Sequence, residues 1–279
     1  MPNHSKPERC ADLCSPTRNR YFYGKLLGVH DFELEQSYFN RKRWLLNRLV
    51  TGYGVVCGLG VQLGADGHSV VVQSGLAIDK CGREIIVCEP SPPYSLPKPS
   101  EESSGAPPET GRQPGVDVTS RGPRNGGKMG DPCTPNLGDL YLLTICFHEC
   151  QTDPVPALGG DCDTQAQCSP GAIRESYKLE IKKGGLCWPQ TKSIIANAIS
   201  SSGVDYPTLV KYVSELCPPA GDECCIPLAN IHIPKPSEPE GNITIDINVR
   251  PIVYTNDLLY QLILAMNKGQ SNESMPTAK

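Results

Sequence analysis

Residues 89 to 138, which open "EPSPPYSLPKPSEESSGAPPETG", carry eleven of the chain's 27 prolines, many glycines and little that is apolar. A stretch of this kind buries too little apolar surface to offset the entropy lost on ordering. It reads as a Pro/Gly-rich linker or a long surface insertion, and it leaves 1–88 and 139–279 as the segments able to build a packed core. The expected organisation is therefore an N-terminal arm, helix and small β module over 1–88, the Pro/Gly segment over 89–138, and a mixed α/β domain over 139–279. With 38% hydrophobic residues, enough apolar material remains outside the middle segment for a real core.

In the first segment the pattern predicts an aromatic stretch, a helix and then strands. "RYFYGKLL" (20–27) presents Tyr21, Phe22, Tyr23, Leu26 and Leu27, side chains that require a surface to pack on and are candidates for assembly contacts. Asp31 is placed to cap a helix, with Glu33 and Glu35 in its first turn and Arg41, Lys42, Arg43 and Arg48 further on, a gradient that suits the helix dipole. Leu34, Tyr38, Leu45 and Leu49 share one helical face, which predicts a helix packed on a sheet with its charges in water. "GVVCGLGVQL" (54–63) alternates like a half-buried strand. "GADG" turns the chain into a hairpin partner, "SVVVQ", and "GLAIDKCGREIIV" (75–87) adds a turn and a further strand.

The second segment alternates strand and helix. Strands are expected over 139–149, 173–181, 224–233 and 242–249, and helices over 193–200, 205–216 and from Asp257 to a stop at Gly269. The sum is α+β, a small antiparallel β module followed by a mixed α/β domain with its helices clustered, closer to this class than to a doubly wound sheet. A net charge of −4 gives no basic surplus, so nucleic acid is not an expected partner. No apolar run approaches spanning length, and the N-terminal residues have no signal-peptide pattern. The expectation is cytoplasmic synthesis without a signal peptide and without membrane insertion.

Fourteen cysteines are about 5% of the chain, fewer than a small disulfide scaffold uses. Four of them fall between residues 146 and 168. On the strand 139–149, Thr144, Cys146 and His148 share the face opposite Tyr141, Leu143, Ile145 and Phe147. Cys146, His148, Cys150 and Cys162 (or Cys168) thus form a candidate metal half-site, although C-x-x-x-C followed by C-x5-C is not a standard zinc spacing. The favoured alternative is a disulfide or thiol cluster drawn from Cys146, Cys150, Cys162, Cys168, Cys224 and Cys225. In the adjacent pair Cys224–Cys225, one thiol is expected to face inward and one outward. Cys57 and Cys88 on strands, and Cys81 at a turn, read as core residues or cross-strand partners. No nucleophile elbow, Walker A sequence or H-E-x-x-H is present, so no catalytic residues and no cofactor are expected.

The run from "RYFYGKLL" through "DFELEQSYFNRKRWLLNRLVTGYGVVCGLGV" to "GLAIDKCGREIIV" resembles uncharacterised bacterial proteins from gene clusters of phage-tail-like contractile injection systems. The likeness covers roughly residues 20–88. It extends loosely to "TDPVP", "IRESYKLEI", "CIPLANI" and "RPIVYTNDLLYQLI". The resemblance implies a structural subunit at the baseplate or its periphery, with other subunits of a large assembly as partners. The particle would be intracellular or released. Two other readings are a fibre-like adhesin or surface-anchoring module, and a metal-dependent enzyme built on the Cys/His set.

Overall fold

The computed structural model describes residues 13, 15–97, 139–156, 168–187, 198–200, 203–215, 217, 224–234 and 242–271. Helix α1 (Val29–Leu46) begins at Gly28, whose amide donates to the Asp31 carboxylate at 3.0 Å. Asp31 therefore serves from the first turn, not from the cap position expected of it, and Lys25 pairs with it at 2.6 Å. The amide of Gly28 and this ammonium both hold its carboxyl below the usual carboxylate range. A short π-helical turn, Asn47–Thr51, ends the helix at Gly52.

The expected face of Leu34, Tyr38, Leu45 and Leu49 is only half-buried, and no residue of α1 is buried. This corrects the expectation of a helix lying on a sheet. Polar contacts hold α1 at its C-terminal end, where the Asn47 side-chain amide donates to the Gly82 carbonyl and to Glu84, each at 2.8 Å. Arg43 meets Glu84 at 3.2 Å.

The β module contains two three-stranded antiparallel sheets. Strands β1 (Gly54–Gly58), β4 (Gly75–Ile78) and β5 (Glu84–Val87) form one; β2 (Val61–Leu63), β3 (Ser69–Val72) and β6 (Tyr94–Ser95) form the other. The strand expected over 54–63 is broken in two because Gly58 and Leu59 both take left-handed backbone (φ 65° and 55°), and Leu59 turns fully inward. Aspartates organise both tight turns. Asp66 accepts from the amides of His68 and Ser69, and Asp79, fully buried, accepts from those of Cys81 and Arg83 and pairs with the Arg83 guanidinium at 2.7 Å. Burial pushes the Asp79 carboxyl up, against the pull of Arg83 and the two amides. The opening of the Pro/Gly segment is structured: Ser91 exchanges hydrogen bonds with Val72, and β6 pairs with β3. Residues 98–138 lie outside the described residues.

The second half is built on one antiparallel sheet in the order β12 (Thr244–Asp246), β11 (Ile226–Ile233), β7 (Asp139–Pro156), β8 (Cys168–Lys183). Of the helix expected over 193–200, residues 193–197 lie outside the described residues. Ile199–Ser200 is instead a two-residue strand, β9, paired with β10 (Gly203–Val204). Helix α2 (Tyr206–Val213) follows Asp205, and helix α3 (Asn256–Ser271) is capped by the Thr255 hydroxyl, which accepts from the Leu258 amide at 3.2 Å. The α+β class is as expected.

A single apolar cluster joins the two halves: Val55, Leu59, Val70, Ile85 and Val87 pack with Leu143, Ile145, Leu179, Ile226 and Ile231. Each such side chain contributes about 1.5–3 kcal/mol when fully buried. The backbone joins there too, since the Val55 amide donates to the Pro251 carbonyl (2.9 Å) and the Val253 amide to the Val55 carbonyl (3.0 Å). Gly54, at φ 136°, lets that approach happen: a Cβ on it would stand 2.6 Å from the Pro251 carbonyl oxygen. Gly54→Ala is expected to cost about 1–3 kcal/mol, combining backbone strain with displacement of this joint. Urea denaturation of the full chain measures it, and an unchanged midpoint would mean that the joint does not constrain the fold.

Candidate functional site

The cysteines act across the joint between the halves. Successive side chains of an extended segment point in opposite directions. At the entry to β11, Cys224 is therefore bonded to Cys81, in the turn between β4 and β5, while Cys225 is bonded to Cys146 on β7. The Cα atoms lie 6.1 Å and 4.3 Å apart, across sequence separations of 143 and 79 residues. One dipeptide thus ties the β module and the neighbouring strand to β11. Both thiol positions are half-buried, so neither member of the pair faces outward as expected. Beside this seam the Arg83 guanidinium stacks over the Phe147 ring at 4.6 Å, adding a cation–π contact between the halves.

The candidate residues of the 146–168 stretch are dispersed by the fold. Cys146 is committed to Cys225; His148 is exposed, opposite Ser176; Cys150 is half-buried and free; Cys168 is exposed and free; Cys162 lies outside the described residues. Cys187 is also disulfide-bonded. Among the described residues, the donor atoms that lie within 4.8 Å of one another belong to two other sets, Asp79–Cys81–Cys224 and Cys146–Glu180–Cys225. Asp79 and Glu180 carried no metal-like spacing in the sequence, because their approach to the cysteines depends on strand register.

The strands around 146–168 form a long ribbon. β11 pairs with β7 only as far as Ile145, whereas β8 continues beside β7 to Pro156. Among the described residues, 148–156 and their partners thus extend about 30 Å beyond the sheet as a two-stranded ribbon, at roughly 3.3 Å per residue. Pro154 faces Pro170 on it, a composition that discourages open-ended strand addition.

A second feature is apolar exposure. Tyr21, Phe22, Tyr23, Leu26 and Leu27 are all exposed, Tyr23 at 107% and Leu26 at 93% of their reference areas. Polar contacts fold this segment against the start of α1: the Tyr21 hydroxyl donates to Glu35, and Lys25 reaches Asn19 as well as Asp31. These polar contacts face α1, and the apolar side chains of the segment are turned to solvent. α1 exposes Phe32, Phe39 and Leu46; α2 exposes Tyr206, Val210 and Val213; α3 exposes Tyr260, Ile263 and Met266. No helix among the described residues is long and apolar enough to cross a membrane.

No protein-family model matches the chain, and no curated protein is significantly similar to it.

The cysteine staples generate a prediction. Cys81→Ser, which opens the link spanning 143 residues, lowers stability by about 2–4 kcal/mol in non-reducing buffer. Added reductant opens the other disulfides as well, so wild type and variant then converge, below the oxidised variant. Equal denaturation midpoints without reductant would show that the staple contributes nothing.

Proposed function

We propose that this chain is a structural subunit of a phage-tail-like contractile injection particle, held at the baseplate or its periphery by protein–protein contacts. The observation that carries the reading is the set of large apolar side chains standing in water on residues 20–27 and on α1, α2 and α3. Runs of exposed apolar side chains, as at Tyr21–Tyr23 and Leu26–Leu27, suit a surface that a partner covers. The resemblance of residues 20–88 to proteins of such gene clusters is the reason for proposing this assembly in particular. Aromatic residues are enriched at protein interfaces, and Tyr21, Phe22 and Tyr23 present three in a row.

The division of labour follows from the geometry. The shared core and its disulfides hold the two halves together, and the exposed helices and aromatic segment supply the gripping surface. Burial of that surface yields about 25 cal/mol per Å², from which the cost of ordering side chains is subtracted.

Because Tyr23 and Leu26 are almost fully exposed, the pair Tyr23→Ser and Leu26→Ser changes the stability of the isolated chain by less than about 0.5 kcal/mol. The same pair is expected to strip the tagged chain from sheath-containing particles purified from cells that express the whole gene cluster. Undiminished incorporation of the double variant, or a wild-type chain absent from the particles, would overturn the reading.

A further inference from the structure

We propose that the reduced form of the Cys146–Cys225 pair, together with Glu180, is a binding site for a thiophilic divalent cation of the zinc type. The register builds it. Ile226 pairs with Ile145, so Cys225, one residue earlier, comes beside Cys146, one residue later on the antiparallel strand. Across the other edge of β7, Glu180 pairs with Thr144 and Lys178 with Cys146, which puts all four of these side chains on one face of the sheet. The two sulfurs and a Glu180 oxygen lie within 4.8 Å of one another. Thiolates and carboxylates are both zinc donors, and three protein ligands leave the fourth tetrahedral position to water.

The charges balance. Two thiolates, one carboxylate and a dication sum to one negative charge, and the Lys178 ammonium, 3.1 Å from Glu180, offsets it. The other donor set is less apt. Both oxygens of Asp79 are engaged, one by the amides of Cys81 and Arg83 and the other by the Arg83 guanidinium. Glu180 accepts from the largely exposed Lys178 through Oε1, which leaves Oε2 for an ion while the ammonium stays beside the site.

In the oxidised chain the two sulfurs are bonded to each other, and reduction precedes binding. A phosphine reductant with one water returns two thiols and a phosphine oxide. The dication then displaces the two thiol protons to solvent and binds both sulfurs. The pair thus links β7 to β11 in either state, by a disulfide or through the ion.

The test uses the full-length chain, reduced with a phosphine and titrated anaerobically with Co2+ followed by competing Zn2+. The wild type is expected to develop a thiolate-to-cobalt charge-transfer band that Zn2+ abolishes. Cys225→Ser removes the band and Cys81→Ser keeps it. Glu180→Gln, a conservative change at the edge of the sheet, weakens Co2+ binding by about 10–100-fold. A reduced wild type without the band overturns the proposal. So does a band that survives Cys225→Ser, one lost in Cys81→Ser, or affinity unchanged in Glu180→Gln.

Discussion

The dipeptide Cys224–Cys225 is the constraint on which the rest of the molecule depends. Extended backbone sends its two side chains opposite ways, and each meets a cysteine from a distant part of the sequence, one at 81 and the other at 146. Those bonds fix β11 against β7 and draw the turn between β4 and β5 onto the same spot. The apolar cluster can then be continuous, with Val55, Leu59 and Ile85 of the first half packed with Leu143, Ile145 and Ile226 of the second. The hydrogen bonds of Val55 to Pro251 and Val253 close the other side of the joint, where only glycine at 54 permits the approach.

A body fixed in this way can leave its remaining elements unsupported. α1 has no buried residue and is tied down by Asn47 and Arg43 near its C-terminal end, and α3 turns Tyr260, Ile263 and Met266 to solvent. An isolated helix of this length is marginal in water without a packed face. The ribbon beyond Ile145 has the same character, since two strands alone are weakly stable. A joined core with largely exposed helices and a projecting ribbon is compatible with the proposed role as an assembly subunit, in which outer elements would complete their packing against neighbours.

Much of this was legible in the residues, and the exceptions share a physical cause. The hairpin through GADG to SVVVQ, the turn and strand within 75–87 and the strand expected over 224–233 are local patterns with local causes, and they identify their elements, the last with its start moved to Ile226. The break at Leu59 had no such signal, because a leucine in left-handed backbone is selected by the core it enters. The spacing of Leu34, Tyr38, Leu45 and Leu49 specifies that a helical face exists and is silent on what covers it. The strand expected over 139–149 runs on to Pro156, and on a ribbon edge without a neighbour the amides that Pro154 and Pro156 lack cost little. The cysteine partners were illegible for the same reason that Glu180 was: pairing across 79 or 143 residues is decided by register and packing.

Hydrogen–deuterium exchange, compared between the isolated chain and the chain within purified particles, tests the central claim most directly. The account predicts slow exchange of β3, β7 at its base and β11 in both states. Residues 20–27, α1 and α3 should exchange rapidly in the isolated chain and become strongly protected in the particle. Helices and an aromatic segment already protected in isolation, or left unprotected in the particle, would contradict it.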